Sequence, residues 1–87
     1  MVSTSNTFKV VGKVIGVEFV SDYNWKLFVK SKRCENPFEV IYKGLTTLDR
    51  TNMQTAEVVS ITGEISVSEN GSIVLNGWKY LTIKEDK

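Results

Sequence analysis

The chain has 87 residues, with 11 lysines and arginines against 10 acids and no histidine; 41% is apolar, 10% aromatic and 24% charged. That is one small domain of globular composition. It excludes a disordered or fibrous chain, a uniformly basic nucleic-acid domain, and every triad, metal site or proton shuttle that needs histidine.

The dominant hydrophobic period is two, which predicts strands. The first seven residues, polar from Ser3 onward, are expected to fray. The first predicted strand runs from Phe8 to Val20, with Gly12 and Gly16 inside it. Interior glycines mark bulges or bends, so a long first strand that serves two parts of a sheet is expected. Ser21-Asp22-Tyr23-Asn24 supplies turn residues. Trp25 to Lys32 follows as a second strand, with Trp25, Leu27 and Val29 on one face and Lys26, Phe28, Lys30 and Lys32 on the other. Arg33 to Pro37 is a loop, and Phe38 to Lys43 a third strand closed by Gly44.

Leu45 to Glu57 breaks the alternation. Its apolar spacing fits a helix only loosely and its threonines are poor helix formers, so a connector with at most about two helical turns is expected, capped by Thr47 or Asp49. Val58 to Val67 is a fourth strand with a central glycine. Ser68-Glu69-Asn70-Gly71 is a hairpin turn on the Asn-Gly signal. Ser72 to Ile83 is the fifth strand, with Gly77 a candidate bulge that flips the alternation. Three strands, a connector, then two strands is the layout of a small all-β Greek-key barrel, with one domain over residues 8–83. Residues 84–87 are charged and are expected to fray.

Charge is uneven along the chain. Residues 1–33 carry six cations against two acids, a net of +4, whereas residues 34–87 carry five against eight, a net of −3. A local basic patch holds an anion even when the whole molecule is near neutral. The alternative is that the lysines only solubilise exposed strand faces. Lone Cys34 excludes an intramolecular disulfide and fits a reducing compartment. No leader-like stretch and no apolar run near the ~20 residues of a membrane span is present, so an intracellular, cytoplasmic protein is expected (host cytoplasm if viral) with no membrane partner.

The run Val58-Val59-Ser60-Ile61-Thr62-Gly63-Glu64-Ile65-Ser66-Val67, the turn Glu69-Asn70-Gly71 and the closing Ile73-Val74-Leu75 resemble the last two strands of the oligonucleotide/oligosaccharide-binding fold, the OB-fold. Val11-Gly12-Lys13-Val14-Ile15-Gly16-Val17 is similar to the bent first strand of that fold. The resemblance spans residues 8–83 and implies a five-stranded barrel of the small single-strand-binding kind. It implies a ligand surface on strands two and three, flanked by the loops between strands 1–2 and 4–5. Bacterial single-strand-binding proteins recruit partners through an acidic C-terminal tail. Lys84-Glu85-Asp86-Lys87 does not match it.

Single-strand binders of this fold combine a basic groove with aromatics on which bases stack. Phe28 between Lys26 and Lys30 is the constellation best suited to that chemistry; the competing reading is an oligomer interface. Tyr23 sits at a loop tip, where binding and packing are both open. Trp25 shares a face with Leu27 and Val29, which suits core or platform. Tyr42, Trp78 and Tyr80 also stay open between filling the barrel and extending the groove. Lys9, Lys13, Lys32, Arg33, Lys43 and Lys79 are phosphate candidates. No base-reading element is evident, so sequence-independent binding of single-stranded DNA is expected, with RNA or a docked protein as alternatives. One short barrel covers about 4–16 nucleotides, so a homo-oligomer, dimer or tetramer, is expected. By analogy it would serve replication or recombination, alongside proteins of those processes, in a phage or mobile element. Catalysis is not expected: no carboxylate pair, histidine base or phosphate loop is present, and no cofactor or metal is implied.

Overall fold

Glycines and β-branched residues let the first strand bend. In the computed structural model, which describes residues 6–84, β1 spans Thr7–Ser21. Its first half pairs with β4 (Val58–Val67) and its second half with β2 (Asn24–Lys30). Val14 opposes Val29 and Gly16 opposes Phe28, so Ile15 is the extra residue of a bulge that turns the strand. β3 (Phe38–Lys43), α1 (Thr47–Thr55) and β5 (Ile73–Ile83) complete the chain. The strands close into a barrel in the order β1-β2-β3-β5-β4, with β3 and β5 parallel and the other pairs antiparallel. This is the predicted Greek-key layout, with the helix between the third and fourth strands. Among the described residues no helix is long and apolar enough to cross a membrane.

The local differences have physical causes. The second strand ends at Lys30 rather than Lys32, because Lys30 folds back onto the loop that follows. The helix has nine residues, about two and a half turns, and its N-cap is Thr46. The Thr46 hydroxyl accepts from the Asp49 amide at 3.0 Å, and the Asp49 carboxylate accepts from the Thr46 amide at 3.1 Å. That reciprocal box offsets the poor propensity of the threonines. The expected fraying covers residues 1–7 and 84–87, of which 1–5 and 85–87 lie outside the described residues. Asn6 and Thr7 join the sheet, the Asn6 carbonyl accepting from the Ile65 amide at 2.7 Å.

Alternation sends Leu27 and Val29, Val40 and Tyr42, and Val59 and Ile61 into the barrel, where Met53 of α1 and Leu45 join them. Leu27, Val29, Val40, Met53, Val59 and Ile61 are fully buried. Truncating Leu27, Met53 or Ile61 to alanine costs about 2–5 kcal/mol. On β5 the inward phase runs through Leu75 and Gly77, then shifts to Tyr80. Thr62 opposes Lys79 while Gly63 opposes Gly77, so Trp78 is the extra residue. A Cβ on Gly77 would lie 2.8 Å from the Tyr42 ring and 2.9 Å from Ile61, so its bareness makes room for the tyrosine.

A polar contact ties the helix to the barrel. The Tyr80 hydroxyl donates to Asp49 Oδ1 at 2.6 Å, and the Tyr80 ring packs edge-on against Tyr42. The bond from Tyr80, helped by those from Thr46, holds the Asp49 carboxyl below its usual range, and the same bond raises the Tyr80 phenol. A lowered carboxylate contributes stability above its unfolded value and loses it as pH falls through the folded one. A raised phenol contributes below its ordinary value of 10.0 and loses that contribution as pH rises through the folded one. Tyr80→Phe is therefore expected to lower stability by about 1 kcal/mol at neutral pH, a low figure because solvent screens Asp49. The deficit should vanish in acid once Asp49 is protonated. Urea unfolding of both proteins across pH checks this.

Candidate nucleic-acid interface

The side chains that alternate with the core residues build the outer face of β1, β2 and β3. Register sets them in rows: Lys13 faces Lys30; Gly16, Phe28 and Glu39 come next; then Glu18, Lys26, Ile41 and Asn76; then Ser21, Asn24 and Lys43. Phe28 points outward, as its alternation with Leu27 and Val29 predicts. It packs over Gly16, where an added Cβ would meet its ring at 3.3 Å. A glycine under an aromatic on an open sheet face lets the ring lie close to the main chain.

The lysines of β2 are less free than their spacing suggests. Lys26 Nζ lies 3.2 Å from Glu39 Oε1. Such half-exposed pairs are worth only about 0–1 kcal/mol, so a phosphate competes with Glu39 on near-equal terms. Lys30 Nζ donates to the Ser31 carbonyl at 2.8 Å and to the Cys34 carbonyl, and so staples the β2–β3 loop. Lys13 and Lys43 are exposed and have no ion-pair partner among the described residues. They mark two ends of the face.

Trp78 joins this face from β5. Its bulged position leaves it 55% exposed, and with Ile41, Lys43 and Asn76 it lines a shallow groove of about 290 Å³. The Asn76 amide donates to Ser66 Oγ at 2.9 Å. Phe28, Ile41, Trp78, Lys13 and Lys43 thus occupy one outer surface, with Lys26 and Lys30 between them. Two aromatics for stacking beside cations for phosphates is the chemistry a single strand requires.

The other candidates lie elsewhere. Tyr42 is 8% exposed inside the barrel, its phenol raised mainly by burial, so its ring is withdrawn from any ligand on the outer face. Tyr80 is half-buried against Tyr42 and Asp49 and serves the fold. Trp25 faces inward, sandwiched by Phe19 and by Arg50. Lys79 lies on the opposite side of the barrel, in a row with Thr62 and Lys9. Lys32 and Arg33 are exposed in the β2–β3 loop, and Tyr23 at the β1–β2 turn. Sequence reasoning passed over Gly16, Ile41 and Asn76 as parts of the face. Ile41 alternates with Val40 and Tyr42, a signal that becomes usable once the inward phase of β3 is known.

No protein-family model matches the chain, and no curated protein matches it by sequence. Solved structures do match. One is the second single-stranded DNA-binding protein (SSBb) of Mycobacterium smegmatis, at 20% identity over 91% of this chain and 89% of that one, with a TM-score of 0.57. Another is the mitochondrial single-stranded DNA-binding protein Rim1 of S. cerevisiae, at 12% identity over 97% of this chain and 100% of that one, also with a TM-score of 0.57. The five-stranded closed barrel, its helix between β3 and β4 and these neighbours together give the chain the OB-fold.

Proposed function

We propose that the chain binds single-stranded DNA without strong sequence preference along the outer face of β2 and β3 and onto β5. The observation that carries this reading is the placement of Phe28 and Trp78 on one exposed face with Lys13 and Lys43. The two rings stack bases. Lys13 and Lys43 meet phosphates, Lys26 exchanges Glu39 for a phosphate, and Lys30 holds the adjoining loop. Both structural neighbours are named as single-stranded DNA-binding proteins, which supports the same ligand class here. The role is binding rather than catalysis.

The reading extends to assembly. On the far side of the barrel, Val11, Leu81 and Ile83 are 43%, 59% and 40% exposed around the buried Ser60. Such an apolar strip favours self-association, as a dimer or tetramer. The broader role we infer is that of a replication or recombination accessory of a compact genome, a phage or mobile element, by analogy with small single-strand binders.

Titration of labelled oligo-dT while following tryptophan emission tests the ligand. Binding should quench Trp78 and weaken with salt, with a log–log slope of about −0.7 for each phosphate engaged. Lys43→Ala should reduce the slope by about that increment. No binding at low salt contradicts the proposal, and a marked preference for matched RNA reassigns the ligand. Light scattering on the free protein and its complex tests assembly; a monomer in both contradicts that part.

A further inference from the structure

The barrel end at the β1–β2 turn holds a cup of about 590 Å³. It is walled by Phe19, Asp22, Tyr23, Trp25 and Arg50, with the segment from Gly44 to Thr46 as its side. Its floor is rigid. Phe19 meets Trp25 edge-on at 5.2 Å between ring centres, and the Arg50 guanidinium carbon lies 4.1 Å from the Trp25 ring centre. Arg50 is held there by donating to the Leu45 carbonyl at 3.0 Å and to Thr47 Oγ1 at 3.2 Å.

Tyr23 is the anomaly. It is 79% exposed, yet its φ is +66°, the left-handed region that favours glycine. A tyrosine there costs about 1–2 kcal/mol with no burial to offset it. The turn is fixed by the Tyr23 carbonyl, which accepts from the Gly44 amide at 2.7 Å. The phenol is thus presented to solvent at the cup, next to an acidic neighbour, Asp22. The two-residue turn between the paired Ser21 and Asn24 fixes that backbone, but packing does not account for a large ring left exposed there.

We infer that this cup takes one nucleobase of the bound strand and that it favours guanine. Aromatic walls fit any base. Ionised Asp22 only accepts hydrogen bonds, so it selects an edge with adjacent N–H donors. Guanine offers two, at N1 and at the 2-amino group. Thymine offers one N–H flanked by carbonyl oxygens, which a carboxylate repels. Arg50 supplies a fixed positive charge for a carbonyl oxygen or phosphate of the same nucleotide. The inference rests on the strand-binding reading above, because Lys43 on the outer face leads directly into Gly44 of the cup. It adds a preference for one base at one end of an otherwise indifferent track.

The test compares a labelled dT oligomer with the same oligomer carrying one terminal guanine, placed at either end. The guanine oligomer should bind about tenfold tighter from one end, the size of one charge-assisted interaction. Asp22→Asn should remove the preference, the dT oligomer gaining affinity as the carboxylate that repels thymine's carbonyl oxygens is lost. Tyr23→Gly should weaken the guanine oligomer while keeping or raising thermal stability, because glycine adopts that φ freely. Phe28→Ala should weaken both oligomers alike. Equal affinity for both oligomers, or a preference that survives Asp22→Asn, overturns the cup and leaves strand binding standing. Failure to bind either oligomer overturns both.

Discussion

Gly63→Ala is expected to cost about 3 kcal/mol or more of stability, a large part of the 5–15 kcal/mol a domain usually holds. A Cβ at this position would lie 1.9 Å from the Asn76 carbonyl oxygen and 2.7 Å from the Gly77 Cα. Those are main-chain atoms of the paired strand, so no rotamer change relieves the clash. Gly63 opposes Gly77 at the step where Trp78 is extruded from the ladder. Accommodating the methyl means parting β4 from β5 at the bend that lets β5 reach β3. Urea unfolding followed by circular dichroism measures the loss. Gly16→Ala is the instructive contrast: its Cβ meets only the Phe28 side chain, at 3.3 Å, and a ring on an open face gives way at small cost. Equal effects at the two positions would show that main-chain approach is not what requires glycine at 63.

Phe28→Ala and Trp78→Ala are each expected to weaken binding of single-stranded DNA by about 5- to 150-fold, equivalent to the 1–3 kcal/mol of one stacked base. The rings come from different strands and, in the proposed binding mode, stack on different bases, so the double variant should lose close to the product of the two factors. Lys26→Ala should have a smaller effect, because the wild-type lysine must leave Glu39 before it meets a phosphate. Leu48→Ala, on an exposed helical position off this face, should change nothing. Anisotropy titrations at one fixed salt concentration rank the set. A loss in Leu48→Ala comparable to that in Phe28→Ala would place the ligand elsewhere.

The sequence carried the order of the elements and the two-faced alternation of β2, because both are local, but left open which of Trp25 and Phe28 turns inward. Leu27 and Val29 alternate with Phe28 within a single strand, and the turn at Asn70-Gly71 is a contiguous signal. The bulge near Gly77 was also readable, as an interruption in one strand's alternation. What was not readable depends on contacts between distant segments. Tyr42 turns inward because Gly77, 35 positions later, leaves space for its ring. Lys26 is partly neutralised because the β2–β3 register brings Glu39 beside it. Lys79 leaves the candidate face because the extra residue in β5 turns it to the side of Lys9. Arg50 reaches Trp25 only through the placement of α1 against the β1–β2 end, and nothing in the spacing of the two residues announces it. The basic first third of the chain therefore distributes over two faces and a loop.

The most direct test of the central claim is a map of which residues a single strand perturbs. Backbone amide spectra of the isotope-labelled protein, titrated with oligo-dT, resolve this residue by residue. Strand binding on the outer face should shift Lys13, Phe28, Ile41, Lys43 and Trp78 together and leave Lys9, Thr62 and Lys79 in place. Shifts centred on Val11, Ser60 and Leu81 instead, with the Phe28 and Trp78 signals unmoved, would contradict the account.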